Sequence, residues 1–352
     1  MKRECLDLER LKVSSMRTIA GYMLVGIGLV ATLIFSGCSA FTGIGLKEYN
    51  QTRPYMGAYV TIRCFFDKRV DITPVIKKCW DRMDEIQRDM NAYSDTGDVA
   101  LMNRLGAKGV DVHDYTYDLL EKTLDLSRKT EGAFDVTIGP LVKLWQDAAR
   151  DKRMPTEKDL ENARDKVGYK NISLTPPNHV LLAREGMKID LGGVASGYAC
   201  DEIARILKAG GIEHFLVDTG GEILCRGSKE GRKPWLIGIQ DPLAKSSIIG
   251  EMAIKDRSVS TSGSYEKFLI IGQEKLSHII NPITGMPEKN VMSATVVAPT
   301  GIEADVFSTA LCVLGSEKGV AIIHAMKGVE AMCVEKRGER VIRRQTDDFG
   351  KW

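Results

Sequence analysis

Lys188-Ile-Asp-Leu-Gly-Gly-Val-Ala-Ser-Gly-Tyr198 is the stretch on which the fold assignment turns. It reads as a short strand, a glycine turn and the N-terminus of a helix running to about Lys208, with Gly210-Gly211 as its stop. Such a turn aims backbone N–H groups and the positive end of a helix at whatever lies in front, commonly a phosphate. The spacing matches neither G-x-G-x-x-G nor G-x-x-x-x-G-K-[ST], so a Rossmann domain and a P-loop are both excluded.

Outward from it, strands and helices alternate irregularly. Tyr59 to Phe66 predicts a strand. Ile72 to Met90 predicts an amphipathic helix with Val75, Ile76, Cys79, Met83 and Ile86 inward, ending in the loop Asn91-Ala92-Tyr93-Ser94. A second helix is expected from Tyr115 to Thr130, and a surface helix or inserted lobe over the charged stretch Gln146 to Lys166. Phe215–Val217, Trp235–Ile239, Glu251–Ile254, Ser258–Thr261, Phe268–Ile271 and Ala294–Val297 read as strands of a mostly antiparallel sheet. Without regular βαβ alternation the expected class is α+β, antiparallel sheets with packed helices.

Ala304-Asp-Val-Phe-Ser-Thr-Ala-Leu311 carries the first chemistry. In a helix, Asp305, Ser308 and Thr309 stand at i, i+3 and i+4 and share one face. Thr300 and Glu303 form a capping box just upstream. A hard cation takes oxygen ligands, and Mg²⁺ commonly takes one or two carboxylates with water and substrate phosphate. The same pattern also suits an ordinary amphipathic helix.

The 352-residue chain has a formal net charge of +2, and residues 1 to 37 account for it. A neutral remainder with no basic run gives no reason to expect nucleic acid. Residues 1–37 read as an export signal: Arg17, the apolar run Ile19–Phe35, then Ser36-Gly37-Cys38. Phe35-Ser36-Gly37-Cys38 resembles a lipobox, which makes Cys38 the lipidated first residue of the mature chain. Met16 is a candidate true start, because acidic residues interrupt the stretch before it. The alternative is a single membrane-spanning anchor. Residues 38–52 are expected to be a tether and 53–352 the catalytic domain. Six cysteines remain beyond Cys38, with no C-x-x-C and no clustered His, so zinc is not expected.

Met56-Gly57, Tyr93-Ser94, Gly132-Ala-Phe-Asp135, Asp190-Leu-Gly-Gly193, Ser260-Thr-Ser-Gly263, His278-Ile-Ile-Asn-Pro282 and Asp305-x-x-Ser-Thr309 occur in register. In this order they resemble the FAD:protein FMN transferase family, also called ApbE-like proteins, over about Met56 to Leu314. The resemblance implies an ApbE-like, T-fold-like, two-lobed single catalytic domain that binds FAD and Mg²⁺. It implies transfer of FMN onto a Thr or Ser hydroxyl of an exported subunit of a membrane redox complex, with release of AMP. By the same resemblance Met56, Tyr93, Ala133, Phe134, Asp135, Asp190, Ser196 and Ile279 border FAD. The metal is assigned to Asp305, Thr309, Ser308 and the main-chain oxygen of Gly193. This chain departs from relatives at Ser196, often Lys or Glu, at Ser308, Asp in some, and at Asn281, commonly Asp.

His278 is the candidate general base for the acceptor hydroxyl, because imidazole titrates near working pH. A buried or supporting histidine is the alternative reading. Ser264-Tyr-Glu-Lys267 matches S-x-x-K, but S-D-N and K-T-G are missing. Two other functions compete: Mg-dependent hydrolysis of FAD to FMN and AMP, and a flavin-binding lipoprotein without chemistry. The expected location is the extracytoplasmic side of a bacterial membrane, held by lipid, with the inner membrane favoured.

Overall fold

The computed structural model describes residues 45–264 and 268–351. The expected signal, Cys38 and the start of the tether lie outside the described residues, as do Tyr265–Lys267 of the S-x-x-K match.

The chain opens with β1 (Leu46–Tyr55), β2 (Ala58–Asp67), α1 (Thr73–Asp89), α2 (Asp98–Leu105), β3 (Val110–Asp111) and α3 (Asp114–Lys129). Then come α4 (Gly139–Asp151), α5 (Glu157–Arg164), β4 (Ile172–Thr175), β5 (His179–Leu182), α6 (Ala195–Ala209), β6 (His214–Asp218) and β7 (Glu222–Arg226). The rest holds β8 (Trp235–Asp241), β9 (Ala244–Ile254), β10 (Arg257–Gly263), β11 (Phe268–Ile271), β12 (Glu274–Ser277), β13 (Val291–Ala298), α7 (Gly301–His324), β14 (Glu330–Arg337) and β15 (Arg340–Gln345).

Eight strands form the central sheet in the order β1-β2-β6-β7-β10-β13-β14-β15, and every neighbouring pair is antiparallel. The expected α+β class holds. Strand pleating divides the core between the two sheet faces. Ile62, Leu224, Val296 and Ala331 turn to α1, α6 and α7, joining Met83, Ile203, Val306 and Phe307. Their neighbours Cys225, Val297 and Met332 turn the other way and pack on Trp235, Ile237 and Met252 of the β8–β9 hairpin. A third cluster joins α4 and α5 to β11 and β12 through Leu141, Trp145, Leu160 and Leu276.

Two expectations change. Residues 46–52 of the expected tether are strand instead, because Leu46–Tyr55 pairs with β2 from Leu46↔Asp67 to Tyr55↔Ala58. Its polar residues hide the strand, which is held by the backbone ladder and turns Tyr49 and Tyr55 onto Trp80 of the core. Met56 and Gly57 form the two-residue turn, both at positive φ (51° and 74°), which the twist of a tight hairpin requires. The stretch before Gly192 is no sheet strand either. Among the described residues it makes one parallel bridge, Ile138↔Lys188, and an Asp190 N–H bond to the Val136 carbonyl (2.8 Å).

The expected lobe over Gln146 to Lys166 is the end of α4 and all of α5, which starts at a Thr156/Asp159 capping box. Helix α7 is long and apolar enough to cross a membrane by length and composition, but it lies on the sheet with most of that stretch buried. All six cysteines from Cys64 to Cys333 are buried thiols, packing as small apolar groups.

Helices α6 and α7 meet backbone to backbone. A Cβ on Gly197 would lie 2.2 Å from the Gly301 carbonyl oxygen, and one on Gly301 would lie 2.3 Å from that of Gly197. Gly197→Ala is therefore expected to destabilise the fold by about 1–3 kcal/mol or more, measured by urea denaturation, because backbone cannot yield as a side chain can. A change within about 0.5 kcal/mol, the range of ordinary surface substitutions, would show that the helices separate freely.

Candidate functional site

The site begins at the first turns of α7. Thr300 caps the helix, accepting from the Glu303 N–H and donating to the Glu303 carboxylate at 2.9 Å. Asp305, Ser308 and Thr309 then share a face as their spacing requires, with Asp305 and Ser308 buried. That face meets the N-terminus of α6: the Gly197 N–H donates to Asp305 Oδ2 at 2.9 Å. The exchange is reciprocal. Asp201 of α6 accepts from the Gly301 and Ile302 N–H groups of α7, at 2.7 and 3.1 Å. Each helix thus places a carboxylate at the positive end of the other.

Strand β10 runs under the same face. Ser258, Ser260 and Ser262 alternate along it and point one way. The Ser308 hydroxyl lies 3.0 Å from Ser260 Oγ and 2.7 Å from Ser262 Oγ, and Ser262 Oγ lies 3.4 Å from Thr309 Oγ1. From the α6 side Gly193 closes in. A Cβ there would stand 3.1 Å from the Phe134 ring and 3.6 Å from Thr309 Oγ1. The structure therefore brings together Phe134, Gly193 and Thr309 directly, with Asp305 and Ser308 on the adjoining turn.

Glu222, which faces Ser260 across the β7–β10 ladder, adds a second acid. It is buried, with Oε1 accepting from the Ser258 hydroxyl at 2.6 Å and Oε2 without a partner. Burial and then the charge of Asp305 push its carboxyl well above the usual range. Two acids, one with an orphaned oxygen, beside hydroxyls and a glycine backbone make an oxygen-only setting. That setting fits a hard divalent cation.

The other sequence candidates are placed as follows. Met56 sits in the β1–β2 turn with its N–H on Gln87 Oε1 (3.0 Å). Tyr93 is 71% exposed, and its hydroxyl accepts from Gln146 Nε2 at 2.8 Å. Partial desolvation and then the charge of Asp190 raise the Tyr93 phenol, against the Gln146 hydrogen bond. Asp190 accepts from the Gly192 N–H (2.8 Å), and burial raises its carboxyl. Ala133 and Phe134 are buried. Ser196 is the second residue of α6, and its carbonyl accepts from the Thr219 hydroxyl (3.1 Å).

Two candidates serve the fold visibly. Asp135 accepts from the Thr137 N–H and hydroxyl with one oxygen and from the Tyr169 N–H with the other. Ile279 is buried in the main core, with its N–H on Ser277 Oγ (3.1 Å). His278, between them in the chain after β12, is exposed. Gln87, Gln146, Asp201 and Glu222 escaped sequence reading, because nothing local marks a residue whose partner lies on another element. Ser260 and Ser262 belong to the Ser260–Gly263 motif, but nothing in the sequence marks them as the floor of the site.

A separate donor cluster, Asp89, Asp98 and His113, is occupied by its own contacts. Asp89 pairs with Arg88 (2.6 Å) and Asp98 with His113 (3.0 Å).

The ApbE family pattern matches residues 56–333. An Escherichia coli K12 protein named FAD:protein FMN transferase is 34% identical over 229 residues, covering 63% of this chain and 65% of its own length, just under two thirds. A Treponema pallidum protein of the same name is 29% identical over 328 residues, covering 88% of this chain and 90% of its own. Among solved structures, the ApbE protein of Thermotoga maritima superposes with TM-score 0.78 at 28% identity, covering 86% of this chain and 98% of that one. Flavin transferase ApbE from Vibrio cholerae gives TM-score 0.77 at 26% identity, with 87% and 99% covered.

Asp201 gives the site a pH signature. Burial raises its carboxyl from the ordinary 3.8 to about 6, against the opposing Gly301 and Ile302 N–H bonds. The folded state therefore holds this proton more tightly than the unfolded chain. The stability it contributes is full below pH 3.8 and is lost as pH rises through about 6. The stability difference between wild type and Asp201→Asn is expected to fall across that window in urea melts. A flat difference would refute the assignment.

Proposed function

The chain belongs to the ApbE family, and we propose that it is a flavin transferase, moving the FMN half of FAD onto a Thr or Ser hydroxyl of an exported acceptor protein and releasing AMP. The observation that carries the reading is the oxygen-only face of Asp305 and Thr309, set against Gly193 at the α6 N-terminus. Asp305, Thr309 and the Gly193 carbonyl would hold Mg²⁺, with Ser308 the fourth candidate. When bound, the ion supplies charge neutralisation for the diphosphate.

The reaction is a displacement at phosphorus. The acceptor oxygen bonds to the FMN-side phosphorus, the P–O bond to the bridging oxygen breaks, and AMP leaves with that electron pair. The hydroxyl proton needs a base, and His278, exposed on a loop, is open to an incoming protein segment. Tyr93, steadied by Gln146, and Phe134, beside Gly193, offer ring surface to the flavin or adenine. Asp190 and the Ser196 turn stand at the α6 N-terminus, where the helix dipole favours phosphate.

The acceptor is read as a subunit of a membrane redox complex. The enzyme is read as exported and held to the membrane by lipid on Cys38, supported by the Phe35-Ser36-Gly37-Cys38 sequence. More than one acyl chain makes such anchoring firm.

Asp305→Ala is expected to abolish magnesium-dependent FAD turnover and, because it also removes the acceptor of the buried Gly197 N–H, to lower stability by about 1–3 kcal/mol in urea melts while the far-UV CD spectrum stays that of a folded protein. Turnover equal to wild type would refute the metal assignment.

His278→Ala is expected to slow transfer by roughly 10²–10⁴-fold, the usual contribution of a general base. The decisive assay follows FMN mass on exported redox subunits by mass spectrometry alongside free FMN. A docked hydroxyl has a large effective molarity, so transfer should outrun hydrolysis when the acceptor is present. Free FMN alone, with subunits that a known transferase labels, would make this a hydrolase.

A further inference from the structure

We propose that Ser262 and Ser308 are positioning residues that turn Thr309 toward the cation, and that Ser308 is not itself a ligand. A hydroxyl has one proton to donate and two lone pairs to accept with. Ser308 Oγ lies 3.0 Å from the Asp305 carbonyl oxygen, which can only accept, so the single proton of Ser308 is committed there. The short 2.7 Å contact with Ser262 then requires Ser262 to be the donor. Having given its proton to Ser308, Ser262 can meet Thr309 at 3.4 Å only by accepting. The Thr309 proton points back to β10, and its lone pairs point away from the strand.

The same count removes Ser308 from the ligand set. It donates to Asp305 and accepts from Ser262, and Ser260, which also hydrogen-bonds the Glu222 carboxyl, crowds its remaining side at 3.0 Å. It is also fully buried, while Ser262 and Thr309 keep partial exposure. The direction of the relay is set at its anchored end, where a helix carbonyl cannot reverse its role. Asp305 thus serves twice: its carboxylate takes the α6 N–H and its carbonyl orients the hydroxyls.

This inference rests on the assignment of Thr309 as a magnesium ligand. Partners that orient a metal ligand typically carry about 10–100-fold in metal affinity. The test uses the whole exported chain and Mn²⁺ as an EPR-visible probe, displaced by Mg²⁺. Ser262→Ala is expected to weaken Mn²⁺ binding by about 10–100-fold, and Ser262→Thr, which keeps a hydroxyl, to restore it. In FAD turnover, Ser262→Ala should raise the half-saturating Mg²⁺ concentration by the same factor with kcat at saturating Mg²⁺ near wild type. Ser308→Ala should match Ser262→Ala, and the double variant should be no worse than either, because both interrupt one relay. Wild-type Mn²⁺ affinity in Ser262→Ala, or additive losses in the double variant, would overturn the proposal. Asp305→Ala separates the two failures. If it retains Mn²⁺, the metal site itself is misassigned; if it loses Mn²⁺ while Ser262→Ala does not, the relay alone is wrong.

Discussion

The mutual capping of α6 and α7 is the contact on which the rest of the structure depends. Helix ends leave backbone groups without intrahelical partners, and burying such an end is costly unless something satisfies it. Here each helix satisfies the other: Asp305 takes the Gly197 N–H, and Asp201 takes those of Gly301 and Ile302. The approach is possible only because Gly197 and Gly301 have no side chains. Both carboxylates lie in the field of a helix N-terminus, and Asp305 is thereby fixed before any ligand arrives. The glycine turn at Gly192-Gly193, which precedes α6, is carried to Thr309 by the same crossing.

Much of this was legible because its signals are local. The Thr300/Glu303 box located α7 to the residue, and the i, i+3, i+4 spacing put Asp305, Ser308 and Thr309 on one face before any packing was known. The α+β class followed from irregular alternation, and the antiparallel sheet agrees. What escaped reading depends on pairing between distant segments. β1 has an exposed, polar alternation that looks like a linker until β2 is placed beside it. The isolated bridge at Lys188 has the apolar residues of a strand but no neighbouring strand to join. Glu222 gains its meaning from register, since the ladder with β10 sets it against Ser260. Asp135 shows the converse. Its motif was recognised, yet its oxygens are engaged by Thr137 and Tyr169, so recurrence of a residue in a motif does not say whether it holds a ligand or the loop that does.

The hydroxyl relay illustrates why a buried polar cluster needs every member counted. Four hydroxyls crowd under α7, and each carries one proton, so the orientation of one decides the next. A strand supplies two of them at alternate positions and a helix supplies two at adjacent ones, so neither periodicity alone could reveal the set. The backbone carbonyl of Asp305 breaks the symmetry between the two directions the chain of protons might take. A rigid, core-packed helix is therefore a better carrier for metal ligands than a loop, because the ligand and the group that orients it are fixed by the same turn.

The same logic divides the site into two parts with different mechanical properties. Asp305, Ser308 and Gly193 are tied to α6 and α7, which share the main core, and to the serines of β10 beneath them. His278 and Tyr93 are exposed on connecting segments, one after β12 and one after α1. Charge stabilisation at a diphosphate gains from donors that do not move, since reorganisation during the reaction is then small. Accepting a hydroxyl from another protein requires the opposite, a surface group that a docking segment can reach. Placing the metal-ligand candidates on buried helices and the candidate base on an exposed loop meets both requirements within one domain.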